Sequence, residues 1–293
     1  MQYCLPCPTY TCFLLKPLYN TTLLLLLSLI VASCRSVPKE QYWQWMEKSW
    51  AKYEKDSLVI YLENPVRCPM RFKISSTDEA FAEKLQSVQN IILSFAKDTL
   101  IKIPATQRQA GSIIIREGLG NPQQAINPVK LTLPFLSGSS YAVIQGYNGS
   151  FSHIDAYSKY AMDFNLQQGD TVCAADDGYV VGVIRNYNQG GNSKKWRDYA
   201  NFVTIYHPHS GLFTQYAHLM QNGSLVDVGD FVRLGDPVGL AGSTGFTNMQ
   251  HLHFNVLRPV DSPEWLESAP SEFIEGYTGN NLHEGDIVTK PPL

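Results

Sequence analysis

The chain has 293 residues, 44% of them hydrophobic and 17% charged, with a formal net charge of −3. That apolar content excludes an intrinsically disordered chain, and the length suits one or two globular domains with sizeable cores. The 26 acidic and 23 basic residues nearly cancel, so there is no net positive field and no nucleic-acid partner is expected.

Residues 23–32 form the apolar run LLLLLSLIVA. It is too short to span a hydrocarbon core of about 30 Å, which needs roughly 20 residues. It has the length of a secretory h-region, with Lys16 ahead of it. The run ends in Val31-Ala32-Ser33-Cys34, which resembles the bacterial lipobox, where an apolar and two small residues precede a lipidated cysteine. An ordinary cleaved signal that happens to precede a cysteine is the alternative. The expected processing removes 1–33 as a lipoprotein signal peptide and leaves Cys34 lipidated, so that acyl chains hold the protein to a membrane while the folded part stays in water. Arg35 replaces the aspartate that retains some Gram-negative lipoproteins at the inner membrane, which favours the outer membrane, facing the periplasm. Of the later thiols, Cys68 and Cys173 lie in no Cys-x-x-Cys motif, and the apolar surroundings of Cys173 suit a buried thiol.

Residues 34–56 read as the anchor followed by an amphipathic helix, because Trp43, Met46, Trp50 and Tyr53 recur at helical spacing with charges between them. The helix packs on the next domain in this reading, and the extra Trp45 leaves a membrane-surface role open. The period then changes to two: Met70, Phe72 and Ile74 alternate with Arg71 and Lys73, and Leu131 and Leu133 flank Thr132. A small β-rich domain is expected over 57–136, in the manner of an immunoglobulin-like or similar sandwich. Residues 118–128 read as a loop, and Ser137-Gly138-Ser139-Ser140 as a boundary.

Six of the seven histidines fall between 153 and 253. His251-Leu252-His253 has strand-like alternation, and side chains two apart on a strand share a face, so both imidazoles enter one site. Alone, His-x-His is a weak motif. Its company strengthens it: His218 lies in the strand-like Gln215-Tyr216-Ala217-His218-Leu219, and His153 and Asp163 bracket an apolar segment. Histidines and a carboxylate are donors zinc prefers, and a catalytic zinc keeps three protein ligands and one open position. Such an ion polarises a carbonyl and lowers the pKa of a bound water. No His-Glu-x-x-His helix is present, so proton handling falls to histidines left out of the ligand set.

In this order, His153, Asp163, Tyr216-Ala217-His218-Leu219 and His251-Leu252-His253-Phe254 resemble the lysostaphin-type zinc metallopeptidases. Gly169 to Val181 looks like that family's Gly-x-x-Val-x-Ala-Ala-x-x-Gly-x-Val hairpin, and Val228-Gly229-Asp230-Phe231-Val232 and 239–245 match two later glycine turns. The resemblance covers about 145–258. It implies a mostly β fold with an antiparallel β-sheet groove of the duplicated hybrid motif type over 138–260, preceded by the β-rich domain and the N-terminal helix and followed by a C-terminal tail over 261–293. It makes His153, Asp163 and His253 ligands to Zn2+, with His218 and His251 unliganded beside the water they orient or deprotonate.

Here the first histidine and the aspartate are ten positions apart, where the family's commonest form has four. Asp155 is the rival ligand, but Asp163 has the apolar flanks of the family motif and 154–159 reads as a polar insertion. Asn201, after alanine instead of glycine, matches a Gly-Asn element. His207 and His209 read as strand-end or loop residues, His283 lies outside the resemblance, and 188–195 reads as a loop rimming the groove. The expected function is a zinc endopeptidase cutting peptide bonds in peptidoglycan cross-links. The alternative is a non-catalytic domain that binds peptidoglycan and activates wall amidases; such relatives typically lack metal ligands, and a peptidase acting on a protein substrate also stays open.

Overall fold

The computed structural model describes residues 48–105 and 111–292. The signal segment 1–33, Cys34 and the greater part of the helix expected over 34–56 lie outside the described residues. Where description begins, the helix is corrected: β1 (Trp50–Glu54) is a strand, with Ala51 and Tyr53 half-buried between exposed Trp50, Lys52 and Glu54. Trp50 stacks on its cross-strand partner Tyr61 at 5.5 Å between ring centroids. This aromatic pairing overrides the helical spacing of the same residues.

The next elements are β2 (Ser57–Glu63), β3 (Met70–Ser76), α1 (Glu79–Lys84), β4 (Asn90–Leu93), β5 (Asp98–Pro104) and β6 (Ile113–Leu119). They build two three-stranded antiparallel sheets, β1-β2-β5 and β4-β3-β6. Asp78 caps α1 by accepting the Phe81 N–H. This region is β-rich as expected, although two three-stranded sheets are not the seven-strand immunoglobulin arrangement.

The remaining strands are β7 (Ser140–Gln145), β8 (Met162–Phe164), β9 (Thr171–Cys173), β10 (Gly178–Ile184), β11 (Gly190–Gly191), β12 (Asn201–His207), β13 (Leu212–Ser224), β14 (Phe231–Val232), β15 (Pro237–Ala241), β16 (Gly245–Phe246), β17 (Leu252–Pro259), β18 (Leu266–Ser268) and β19 (Ile287–Thr289). Eleven of them form one sheet, ordered β14-β10-β12-β13-β17-β8-β7-β19, with β15 and β9 branching from β13 and β18 from β17. Its pairings are antiparallel; the separate two-residue pair β11–β16 is parallel. Residues 261–293, expected as a tail, supply β18 and β19 and send Phe273, Leu282 and Val288 into the core. Cys68 and Cys173 are buried, unpaired thiols, and burial pushes both thiol pKa values up.

Alternation along the central strands decides where the site falls. Phe164, Tyr216, Leu252, Phe254 and Val256 point into the inner core. The opposite face divides along its length. At the β12–β13 turn end, Tyr206, Phe213 and Leu257 join Leu58, Ile60, Phe72 and Phe81 of the amino-terminal sheets in one cluster, each large apolar side chain contributing about 1.5–3 kcal/mol. Buried Arg71 fastens this contact by donating to the carbonyls of Leu119 (3.1 Å), Val260 (2.8 Å) and Trp265 (2.6 Å). The other end of the same face, carrying Asp163, Ala217 and His253, stays open to two clefts.

Candidate active site

Asp163 is the middle residue of β8, and His253 lies directly opposite it on β17. The alternation that buries Met162, Phe164, Leu252 and Phe254 turns Asp163 and His253 together towards the open face. Fully buried His153 reaches them from the segment after β7. Its Nε2 is 3.2 Å from Asp163 Oδ1 and 3.2 Å from His253 Nδ1, and those two atoms are 2.8 Å apart. His153 Nδ1 donates to the Gly146 carbonyl at 2.8 Å, which leaves the Nε2 lone pair facing the cluster.

The donor triangle fits zinc: bonds of about 2.0–2.1 Å in tetrahedral geometry hold neighbouring donors about 3.3 Å apart. Among the described residues this is the one group of three His, Cys, Asp or Glu side chains so gathered. Burial alone would raise the Asp163 carboxyl, but His251, His153 and His253 outweigh it and hold the group well below the ordinary carboxylate range. Burial also opposes protonation of His153 and His253; the Asp163 carboxylate outweighs it at His153 and not at His253. Asp163 Oδ2 accepts from Gln145 Nε2 at 2.9 Å, and Gln145 Oε1 in turn accepts from the N–H groups of Phe151 and Ser152.

His218 is placed by a bulge. Opposite β12, Ala217 faces Phe202 and Leu219 faces Asn201, so His218 is the extra residue, at φ +63°. A bulge re-aims a side chain, and the left-handed backbone is a strain the surrounding structure must hold. The holding contact is Nδ1 donating to the Thr244 carbonyl at 2.6 Å, leaving Nε2 unprotonated. Burial first, then His251 and His253, pushes the His218 pKa down to about 3, so the ring is neutral. His251 sits just before β17, bridged to Gly242. Its Nδ1 donates to the Met249 carbonyl at 3.1 Å, and its Nε2 lies 3.7 Å from Asp163 Oδ2. The His218 and His251 ring centroids are 4.6 Å apart.

Buried Asn201 ties the bulge to its surroundings, donating to the carbonyls of Tyr187, Leu219 and Met220 while its own N–H bonds Thr244 Oγ1. Gly245, at φ +84°, lets the 243–251 turn close over Ala200; a Cβ there would come within 2.6 Å of the Ala200 Cβ. Two clefts flank the five residues. One of about 780 Å³ is lined by Tyr147, Tyr160, Asp163, His251, His283 and Glu284. The other, about 270 Å³, is lined by Tyr157, Arg197, Gln215, His218, Phe246 and His253. Phe151, on the wall of the larger, stacks on Phe246 of the smaller at 4.9 Å.

The structure thus gathers His153, Asp163, His218, His251 and His253. It leaves Asp155 outside the triangle, half-exposed, paired with Arg197 and accepting from Ser158 N and Oγ. His207 is buried between the Asp177 carbonyl and Thr214, and His209 pairs with Asp176. His283 lines the larger cleft although it lies far along the chain. Gln145, Gly146 and Met249, which orient the site, carry no local sequence signal; Thr244 sits in a recognised glycine turn, but its carbonyl does the work.

A convergent triangle of two imidazoles and a carboxylate, with two further imidazoles beside it in a cleft, is the equipment of a metallohydrolase. Residues 157–263 match the model of Peptidase family M23, and the chain therefore carries a domain of that family. It is 37% identical over 103 residues to the peptidoglycan DD-endopeptidase ShyB of Vibrio cholerae, covering 34% of this chain and 21% of that protein. It is 31% identical over 146 residues to the glycyl-glycine endopeptidase ALE-1 of Staphylococcus capitis, covering 49% and 37%. A zinc containing peptidase from Vibrio cholerae aligns with 72% of this chain and 78% of its own at 18% identity and a TM-score of 0.33. The chain spans about two fifths or less of the length of the curated relatives it matches.

Proposed function

We propose that the chain is a zinc-dependent endopeptidase that hydrolyses peptide bonds in peptidoglycan cross-links, lipid-anchored through Cys34 in the bacterial envelope, at the outer membrane facing the periplasm. The observation that carries the reading is the donor triangle of His153, Asp163 and His253 with the Nε2 sides of His218 and His251 turned to the same space. Both curated relatives are named endopeptidases, which supports a peptide bond as substrate, the name of ShyB supports peptidoglycan as its source, and the lipobox supports the anchor.

Zinc held by His153, Asp163 and His253 supplies Lewis acidity, polarising a carbonyl and lowering the pKa of a water. The proton that an attacking water must lose goes to Nε2 of His251, the nitrogen left to the site by the bond between Nδ1 and the Met249 carbonyl. The His218 ring, kept neutral by burial, accepts from the attacking water at Nε2 and so orients it. Gln145 and Gly146 hold Asp163 and His153 in place, and the clefts on either side seat the peptide flanking the scissile bond.

The test is hydrolysis of purified peptidoglycan by the purified chain, with zinc content assayed alongside and His251→Ala as control. New amino groups that vanish in the variant while zinc stays bound are the expected result. A wild-type chain with a full zinc site and no cleavage of wall peptides would overturn the substrate, and one without zinc would point to the non-catalytic wall-binding module.

A further inference from the structure

The smaller cleft has a feature that peptide hydrolysis by itself does not use. Its lips are the 154–159 turn and the 3-10 helix Lys194–Tyr199, and they meet through one ion pair, Arg197 Nη1 to Asp155 Oδ2 at 3.3 Å. Both side chains are about half exposed, at 49% and 43%. Asp155 is fixed: its Oδ1 accepts from Ser158 N and Oγ, at 3.0 and 2.7 Å, leaving Oδ2 to the cleft mouth. The turn that carries it is itself clamped from three sides. Asn255 Nδ2 donates to the Tyr157 carbonyl, Ser268 N and Oγ donate to the Ala156 carbonyl, and Tyr157 Oη donates to Gln215 Oε1. The insertion that lengthens the His153-to-Asp163 spacing is therefore a rigid wall whose Asp155 carboxylate faces the Arg197 guanidinium, with Asp198 next to it, across the cleft beside His218 and His253, while its Lys159 lies over Tyr160.

We infer that this cleft is the subsite for a zwitterionic amino-acid centre, a carboxylate and an ammonium on one carbon, in the residue flanking the scissile bond. The inference rests on the reading of the site as a peptidase. A half-exposed ion pair is worth little, so parting it costs little. A ligand bearing only a carboxylate takes Arg197 but leaves Asp155 without its partner and faces its negative charge; one bearing only an ammonium does the converse. A ligand bearing both exchanges one ion pair for two, and the guanidinium, with five N–H donors of which the Asp155 contact uses one, accepts a carboxylate without rearrangement. The larger cleft, whose charged lining comprises Asp163, Glu284 and the His251 and His283 rings, offers no such pairing.

The experiment measures binding by calorimetry and cleavage by amine release for four cross-linked peptides, using the full chain loaded with zinc. The peptides differ only in the flanking residue: carboxylate and amine free, carboxylate amidated, amine acetylated, or both blocked. The expected result is a loss in binding of roughly two- to fivefold for each blocked group, the size of a half-exposed ion pair. In Arg197→Gln the difference between carboxylate and carboxamide disappears, and in Asp155→Asn the difference between amine and acetamide disappears. Equal binding of the four peptides, no binding of any, or variants that weaken all four alike would overturn the inference. Charge-selective binding without cleavage would uphold it while refuting the peptidase reading.

Discussion

Gln145→Met is the perturbation that isolates the support of the donor triangle without touching a donor. The Gln145 amide donates to Asp163 Oδ2 at 2.9 Å and accepts from the N–H groups of Phe151 and Ser152 at 3.1 and 3.3 Å, so one side chain fixes both a proposed ligand and the loop leading to His153. Methionine keeps the length and loses every one of these bonds. A hydrogen bond to a charged group contributes about 1.5–3 kcal/mol. Removing a partner of a ligating group typically costs about 10–100-fold in metal affinity, or about 1.4–2.7 kcal/mol. The two ranges agree, so zinc affinity of the variant, read by competition with a chromophoric chelator, falls by about 30-fold. Gln145→Glu sets a second carboxylate against Asp163 and weakens binding further. A Gln145→Met chain with unchanged circular dichroism and a zinc affinity within twofold of wild type would refute the reasoning.

Asp163→Ala abolishes stoichiometric zinc binding while Asp155→Ala retains it, measured as metal content after gel filtration; the opposite pattern would reverse the ligand assignment. Arg71→Met takes their buried donor from three carbonyls and destabilises the chain by about 1.5–3 kcal/mol, near 6 °C in Tm; a shift below about 2 °C would show the contact to be dispensable. Burial holds His207 below its ordinary pKa. Above about pH 6.5 the folded and unfolded chains both carry this ring neutral, and below it the unfolded chain takes up the proton first. Stability therefore falls on acidification by up to about 1.4 kcal/mol per pH unit from this group. His207→Gln flattens that part of the Tm-against-pH curve, and an unchanged slope in the variant would count against the account.

The site residues were legible because strand periodicity and metal chemistry both act locally. His251 and His253 are two apart, and Met162-Asp163-Phe164 shows its own alternation. What positions them was not legible, because it runs through backbone groups and distant partners. The bulge at His218 exists only in the register between β12 and β13, and the carbonyls of Gly146, Thr244 and Met249 act whatever their side chains are. The helix expectation failed at Trp50 and Tyr53 for a related reason. Their spacing of three fits a helical face and splits across the two faces of the strand, where Tyr53 alternates with Ala51 instead, and the choice lies with Tyr61 on the neighbouring strand. The tail expected over 261–293 is apolar at Phe273, Leu282 and Val288, but at spacings that match neither period, so only tertiary contact shows that it completes the core.

The same face of the central sheet explains why the β-rich region and the site come as a pair. Along β13 and β17, Phe213 and Leu257 lie under the amino-terminal sheets, and four residues further along the same face the strands present Ala217 and His253 to the smaller cleft. Tyr157 stands at the border, packed against the amino-terminal cluster while its hydroxyl holds Gln215 in the cleft wall. Rigidity at one end is thus passed along two strands and one side chain to the other. In a site whose donors must hold spacings of 2.8–3.2 Å, the amino-terminal sheets act as the backing of the wall that carries Asp155 and, through β13, of the bulge that holds His218.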